Sequence, residues 1–557
     1  MELSYPITYI GDIATALKDN GINNYIILNQ TLALIYADKK FNENILDKIK
    51  QVTWWQEARP MSSMIEINRI LEGGETVTNA SGTNYIYDNP YISVSGEGIM
   101  IAIIDSGIDY LHPDFINDDN TSKIISIWDQ SSSKGTPPEG MIFGSEITRE
   151  EINKAIKEKD STLSRDNTGT GTIAAGIASG NGRKNALYKG VATKSELVVV
   201  KLREYEGLFE EGKINYYNTD FLAGIKYVID VYKKEKKFLV VNLSIAEKSR
   251  AYVLTNLLDT FEELKNPGVI VVSGAGNEGN TDIHYEGVFK DKKSPHDIVI
   301  EVGLQKLLDI SIASNGPDKI GAAIISPSGE MSYHATYEPE NDEYYGKFIL
   351  EDSPYEMRYS YPWLLSGNEE LLMRIINIKP GIWTLRLFPE VLISGEYDIY
   401  LPNQNLIPEN TRFLDPNSFA TITLYGATES VITVGAYNDK TRSMWIGSSK
   451  GPIKGRGVKP DIVAAGVDII STFINQGYTT STGTGVSSSL TCGVIALLME
   501  YIYQQGPTMR KLLFTKVLKT YLMLGATQNE IYTYPNSSQG YGVLNLQNTM
   551  KAIASKI

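Results

Sequence analysis

Four uninterrupted apolar runs limit what this chain can fold into more than any other feature. GIMIAIID (98–105), ELVVVKLRE (196–204), FLVVNLSI (238–245) and GVIVVSGAG (268–276) place apolar residues at consecutive positions instead of alternating them with polar ones. A strand with one wet face alternates; a strand covered on both faces does not, and that is the habit of parallel strands flanked by helices. Helical stretches such as FLAGIKYVIDVYKK (221–234) lie between the runs. The pattern predicts α/β layering around a parallel sheet. Reacting groups in such sheets collect just beyond the carboxyl ends of the strands, so the residues that follow each run are the ones to read for function.

The rhythm breaks near residue 292 and resumes at SVITVGAYND (430–439). Between these points short strand-like runs (DIVIEVGL, IGAAIISPSG, GIWTLRLFP, EYDIYLP) alternate with Gly, Pro and Asn turns. That spacing predicts an inserted all-β sandwich or jelly roll. Ahead of the sheet, Tyr25–Leu28 and Leu32–Tyr36 read as strands around an Asn29-Gln30 turn, and Phe41, Ile45 and Ile49 recur at helical spacing. We expect a small α+β unit over 1–94, ending in a polar linker at GGETVTNASGTN (73–84). The α/β body then occupies 95–291 and 426–557, interrupted by the all-β insertion at 292–425. A chain of 557 residues has room for these parts.

Three blocks follow strand ends: IAIIDSGIDYLHPDF around Asp105, VVSGAGNEG around Asn277 and TSTGTGVSSSLTCGVIALLME around Gly485. They resemble the aspartate, oxyanion-hole and nucleophile blocks of the subtilisin-like serine proteases, and residues 1–94 resemble the propeptide of that family. The resemblance implies a subtilisin-like core in which Thr170, within DNTGTGTIAAGI, stands where the family has its general-base histidine. Gly485 stands where it has its serine nucleophile. Acyl transfer needs both atoms: a hydroxyl to attack and an imidazole to take its proton. In subtilisin, losing either costs roughly 2 × 10⁶ in turnover.

No other residue is placed to substitute. His112, His284, His296 and His334 all lie outside the block that should supply the base, and a threonine hydroxyl does not accept protons near neutral pH. Ser487 lies two helical positions past Gly485, displaced by about 3 Å and 200°. Without partners, Asp105 and Asn277 are expected to serve structure: Asp105 bonding backbone amides at its strand end, Asn277 holding the GAGN loop. Ala246 replaces a glycine that borders the substrate strand in the family, which suggests a relaxed cleft edge. A chain that cannot cut itself should keep residues 1–94 attached, with their carboxyl end over the cleft.

An attached propeptide, a β insertion and a degenerate triad together resemble the Csp proteases of clostridial spores, in particular their pseudoprotease members. The resemblance implies a regulator of germination located in the spore, partnered by other Csp proteins, sensing a bile-salt germinant and signalling to an active protease that cleaves a cortex-hydrolase precursor. A non-sensing scaffold or inhibitor, and a protease with an unconventional nucleophile, are the alternatives. For a steroid carboxylate or sulfonate, Lys454, Arg456 and Lys459, with Lys450 beside them, form the clearest basic cluster. The competing reading is that these charges are solvated or paired. A net charge of −14 argues against nucleic acid as partner. No cofactor or metal is expected. The first twenty residues have no secretory-signal pattern, no run suggests a membrane span, and the single cysteine, Cys492, reads as a buried inert thiol in a protein made in a reducing compartment.

Overall fold

The computed structural model describes residues 3–69, 71–250, 256–336, 338, 342–364, 366–455 and 457–555. The four apolar runs form adjacent strands of one nine-stranded sheet. From the middle outward, Ile99–Asp105 pairs in parallel with Phe238–Leu243 on one side and Glu196–Lys201 on the other. Val269–Gly274, Ile432–Asn438 and Ile462–Ala465 extend one flank in parallel. Ile124–Asp129 and the antiparallel Ser145–Thr148 close the other. Every residue of the central strand is buried, because helices cover both faces. Thr170–Ser179 and Thr484–Gln504 pack on one face and Asn218–Glu235 on the other. Thr484–Gln504 is apolar and long enough to cross a membrane by composition, yet it lies inside the protein as a core helix.

The insertion is a sandwich of two antiparallel sheets. Six strands, from His284–Val288 through Glu396–Tyr400, Leu307–Ser314, Glu369–Ile376 and Ser353–Ser360 to Glu343–Phe348, face four, Lys319–Ile325, Gly381–Val391, His296–Val302 and Arg412–Phe413. Alternation of inner and outer residues gives the sandwich its own apolar core around Ile310, Met373 and Trp383. Its first strand begins at His284, ahead of the break expected at 292. After Phe413 the chain is already back against the α/β body, where Ile422, Leu424 and Tyr425 join the main core.

At the other end, Tyr25–Ile27, Leu32–Ala37, Leu3–Tyr9 and Val52–Trp55 form a four-stranded sheet with the helix Ile13–Asp19. The Phe41–Ile49 periodicity resolves into a 3₁₀ helix over Glu43–Lys48. The stretch expected as a linker is ordered: Val77–Ser81 and Asn84–Tyr87 are short helices, and Val77 is fully buried in the main core. One apolar residue at the right place outweighs the polar composition around it.

Candidate functional site

The central strand delivers Asp105 to the carboxyl edge of the sheet. There the next turn and the start of the Thr170–Ser179 helix converge on it. Asp105 is fully buried. Thr170 donates its hydroxyl to Asp105 Oδ1 at 2.5 Å, Ser106 donates its backbone N–H to the same oxygen at 2.7 Å, and Ser244 donates its hydroxyl to Oδ2 at 2.5 Å. Burial raises the Asp105 carboxyl above its ordinary pKa, and those three donors pull the other way. Nearby, Asp166 accepts from the backbone N–H groups of Gly169 and Thr172, pinning the turn that presents Thr170. No imidazole hydrogen-bonds Asp105 among the described residues.

The four histidines are occupied elsewhere. His112 is buried, with Nε2 2.9 Å from Gly477 O and Nδ1 accepting from the Asp114 N–H. His284 sits on a sandwich strand with Nε2 3.0 Å from Asp398. His296 contacts Tyr397, and His334 lies 3.7 Å from Glu390.

Gly485 is the second residue of the long core helix. Asn277 caps the approach to it: its Oδ1 accepts from the backbone N–H and the hydroxyl of Thr484, both at 3.0 Å. Asn277 therefore holds the turn before Gly485 rather than its own loop. Ser487 donates to Ala464 O, and Ser488 and Ser489 donate back to Gly485 O, so all three hydroxyls are consumed within the core. Cys492 is buried in the same helix, and burial holds its thiol protonated.

The groove between these two ends is filled by the chain's own residues 60–67. Pro60–Ser63 is inserted as a strand between Ile214–Tyr217 and Ile245–Glu247, antiparallel to both. Ala246 pairs with Ser62 in this ladder, so the residue suspected of relaxing the cleft edge leaves its strand-pairing capacity intact. Met64 donates its N–H to Ser244 O at 2.8 Å, and its carbonyl accepts the Gly485 N–H at 3.0 Å. Glu66–Ile67 then pairs with Ser481–Thr482, and Glu66 Oε1 accepts from Asn277 Nδ2 at 3.4 Å. Gly483, at φ +133°, lets the Met64 carbonyl come this close; a Cβ there would lie 2.2 Å from it. A Cβ on Gly485 would lie 2.7 Å from Ile65 Cγ1, 2.9 Å from Met64 O and 3.0 Å from the Met64 carbonyl carbon. The Met64–Ile65 peptide thus spans Gly485.

The basic cluster is not assembled as an anion site. Lys454 is bound to Glu286 (2.7 Å), Asp398 (3.1 Å) and Glu396 (3.8 Å). Lys459 is buried against Asp461, Val431 O and Thr433, and burial pushes its ammonium down to about 7. Both side chains are engaged with partners inside the protein. Arg456 lies outside the described residues. No group of three or more His, Cys, Asp or Glu side chains is placed to hold a metal among the described residues.

The subtilase family model matches residues 96–343 and 403–542. That is well over half of the sequence, and the chain belongs to the subtilase family. The stretch it skips, 344–402, lies in the sandwich. Among solved structures, the chain superimposes on the CspB protease of Clostridium perfringens with a TM-score of 0.74 at 26% identity, covering 86% of this chain and 98% of that one. It shares the fold of the epidermin leader peptide processing protease EpiP of Staphylococcus aureus, with a TM-score of 0.51 at 14% identity over 98% and 99% of the two chains. It is 24% identical over 510 residues to the C5a peptidase of Streptococcus pyogenes, covering 86% of this chain and 41% of that protein. The PII-type proteinase of Lactococcus lactis is also 24% identical, over 513 residues, covering 82% of this chain and 26% of that protein. The chain therefore spans less than half the length of these curated relatives. The fold is the subtilisin-like α/β fold with extra all-β sheets.

Sequence reasoning located Asp105, Asn277, Thr170 and Gly485, and the structure brings Thr170 onto Asp105 and Asn277 onto the turn before Gly485. It missed Ser244, Asp166 and the Met64–Ile65 peptide. Asp166 had a local signal, a carboxylate three residues ahead of Gly169 and six ahead of Thr172 at a helix start. Ser244 and Met64 meet their partners across more than a hundred residues, and no local pattern marks them.

Proposed function

We propose that this chain is a catalytically inert subtilase of the Csp group, most like CspC, that regulates spore germination through binding. In this reading it senses a bile-salt germinant in the spore and signals to an active Csp protease acting on a cortex-hydrolase precursor. One observation carries the inert part. The Met64–Ile65 peptide lies on Gly485 with its carbonyl on the Gly485 N–H, and the side chains at the two ends of the groove are Thr170 and Ser244 on Asp105 and Asn277 on Thr484. None of these supplies an activated nucleophile or a base near neutral pH. Oxyanion stabilisation alone is a small part of such catalysis.

The filled groove supports a binding role over a degraded enzyme. The segment makes strand pairs with elements on both sides, and an incoming peptide must displace it from an intramolecular contact. The fold, the extra sheets and the likeness to the CspB protease of Clostridium perfringens support the Csp assignment.

A reconstitution tests the function. Purified chain is added to an active Csp protease and its precursor substrate, with and without cholate-type germinants. The reading predicts that the chain changes the rate of precursor cleavage and that germinant alters this change. An unchanged cleavage rate under all conditions contradicts it, and a change indifferent to germinant favours the scaffold alternative.

A further inference from the structure

A second cavity, of about 400 Å³, lies where the N-terminal sheet, the sandwich and the α/β body meet. It is of the size that encloses a small organic ligand. Its apolar walls are Phe41 and Trp55 from the N-terminal unit, Leu372 and Ile376 from the outer face of the sandwich, and Phe209 and Leu406 from the segments between. Leu372 and Ile376 alternate with the inward-facing Leu371, Met373 and Ile375, and share the outer face of this strand with the charged Glu370 and Arg374.

The charges around the cavity are unevenly satisfied. Arg59 grips Glu370 with both guanidinium nitrogens, and Arg250 reaches the same carboxylate at 2.7 Å. Arg374 is held by Asp309 at 2.9 and 3.1 Å, by Glu57 at 2.6 Å and by Glu356 at 3.3 Å. Arg358 stacks 3.8 Å from the centre of the Trp55 ring. Lys248 is the exception. Its ammonium makes one hydrogen bond among the described residues, donated to the Ser311 hydroxyl. Burial and the neighbouring Arg59 guanidinium push it down to about 8, against Glu370, Asp309 and Glu247, which act on it only at longer range. At neutral pH it is a largely protonated, poorly matched cation on the cavity wall. Gln56 Oε1, also at the cavity, is a buried acceptor with no donor. A buried polar atom without a partner carries a desolvation penalty that a ligand can relieve.

We infer that this junction is a binding site for an amphipathic organic acid: an extended apolar body whose carboxylate or sulfonate pairs with Lys248 and whose hydroxyl or amide donates to Gln56. The inference rests on the sensing reading for its consequence and on this cavity for its place. An occupant contacts all three parts of the protein at once. It therefore stabilises their docked arrangement by the free energy of its own binding.

Calorimetry on the full chain tests the site, with cholate, taurocholate and an uncharged steroid alcohol of the same ring system as probes. Both anions should bind and raise the melting temperature, and the neutral steroid should bind at least about tenfold more weakly, the cost of one charge-assisted contact. Lys248→Met should weaken the anions by at least about tenfold, and Lys248→Arg should stay close to wild type. Ile376→Trp, at an exposed strand position, should fill the cavity and abolish binding with its circular dichroism unchanged; it carries the test if Lys248→Met does not fold. Wild-type affinity in both Lys248→Met and Ile376→Trp overturns the site and leaves the sensing reading standing. Equal affinity for the neutral steroid overturns the assignment of an acid. If neither anion binds the wild-type chain, the site and direct sensing both fall.

Discussion

The cleft and the junction cavity are assembled in the same way, from elements far apart in sequence, yet one is closed and the other open. In the cleft the groups at the Asp105 and Gly485 ends have found partners within the chain. Both oxygens of Asp105 accept hydrogen bonds, both ends of the Asn277 amide are engaged, and the Met64 carbonyl is seated on the Gly485 N–H. In the cavity, Lys248 and Gln56 Oε1 face space that no segment fills. On the proposed reading, Thr170 and Gly485 leave the first region without an activated nucleophile, and residues 60–67 fill its groove. On the inference drawn above, a small partner would bind in the second.

The strongest way to break this contrast is to restore the missing atoms. Thr170→His with Gly485→Ser should convert an uncut chain into one cleaved at Met64–Ile65, because the Met64 carbonyl is already seated on the Gly485 N–H, provided the segment shifts enough to admit a Cβ that would otherwise lie 2.7 Å from Ile65 Cγ1 and 2.9 Å from Met64 O. Each single reversion should leave the chain intact, since the serine and the histidine act as a unit worth roughly 2 × 10⁶ in turnover. Intact-mass measurement reads the outcome. A double variant that stays uncut shows that the geometry around Ser244 and Asp105 has moved beyond catalytic use.

A smaller effect probes how tightly the cleft is sealed from water. Glu278, next to Asn277, is buried, accepts from the Thr281 hydroxyl at 2.9 Å, and is pushed up to about 7 by burial. A carboxyl whose folded pKa is raised contributes stability that is fully present below its unfolded value, near 4.5, and lost as pH rises to about 7. Relative to wild type, Glu278→Gln should gain on the order of 3 kcal/mol between those pH values and nothing further above them. Urea denaturation at several pH values measures the difference; a constant gap across the range contradicts a sealed cleft.

The smallest effect concerns Thr170. Thr170→Val keeps the shape and removes one of three donors to the buried Asp105 carboxylate. It should destabilise the protein by about 2 kcal/mol near neutral pH. The loss should shrink in acid as Asp105 takes up a proton. Thermal melts of the two proteins decide it, and an unchanged melting temperature would mean that Thr170 merely fills space.

Much of this was legible in the sequence because it is local. Continuous apolar runs pointed to the parallel sheet, and the resemblance of TGTIAAG and GTGVSSS to the subtilase histidine and serine blocks placed Thr170 and Gly485. The remainder depends on residues that meet only after folding. Nothing near Met64 announces that it will lie on Gly485, more than four hundred residues away. The carboxylates that neutralise Lys454 come from sandwich strands at Glu286, Glu396 and Asp398, so a basic run in sequence became a paired interior. Val77 turned an expected linker into packed helix for the same reason: one buried side chain decides more than its polar neighbours.

The central claim is that this subtilase frame holds its own peptide across the cleft and does not cut it. Intact-mass spectrometry of the purified wild-type chain, before and after incubation with a fluorophosphonate probe, tests it most directly. The account predicts one mass, that of the uncleaved chain, and no probe adduct. A break between Met64 and Ile65, or an adduct on any serine, would contradict it.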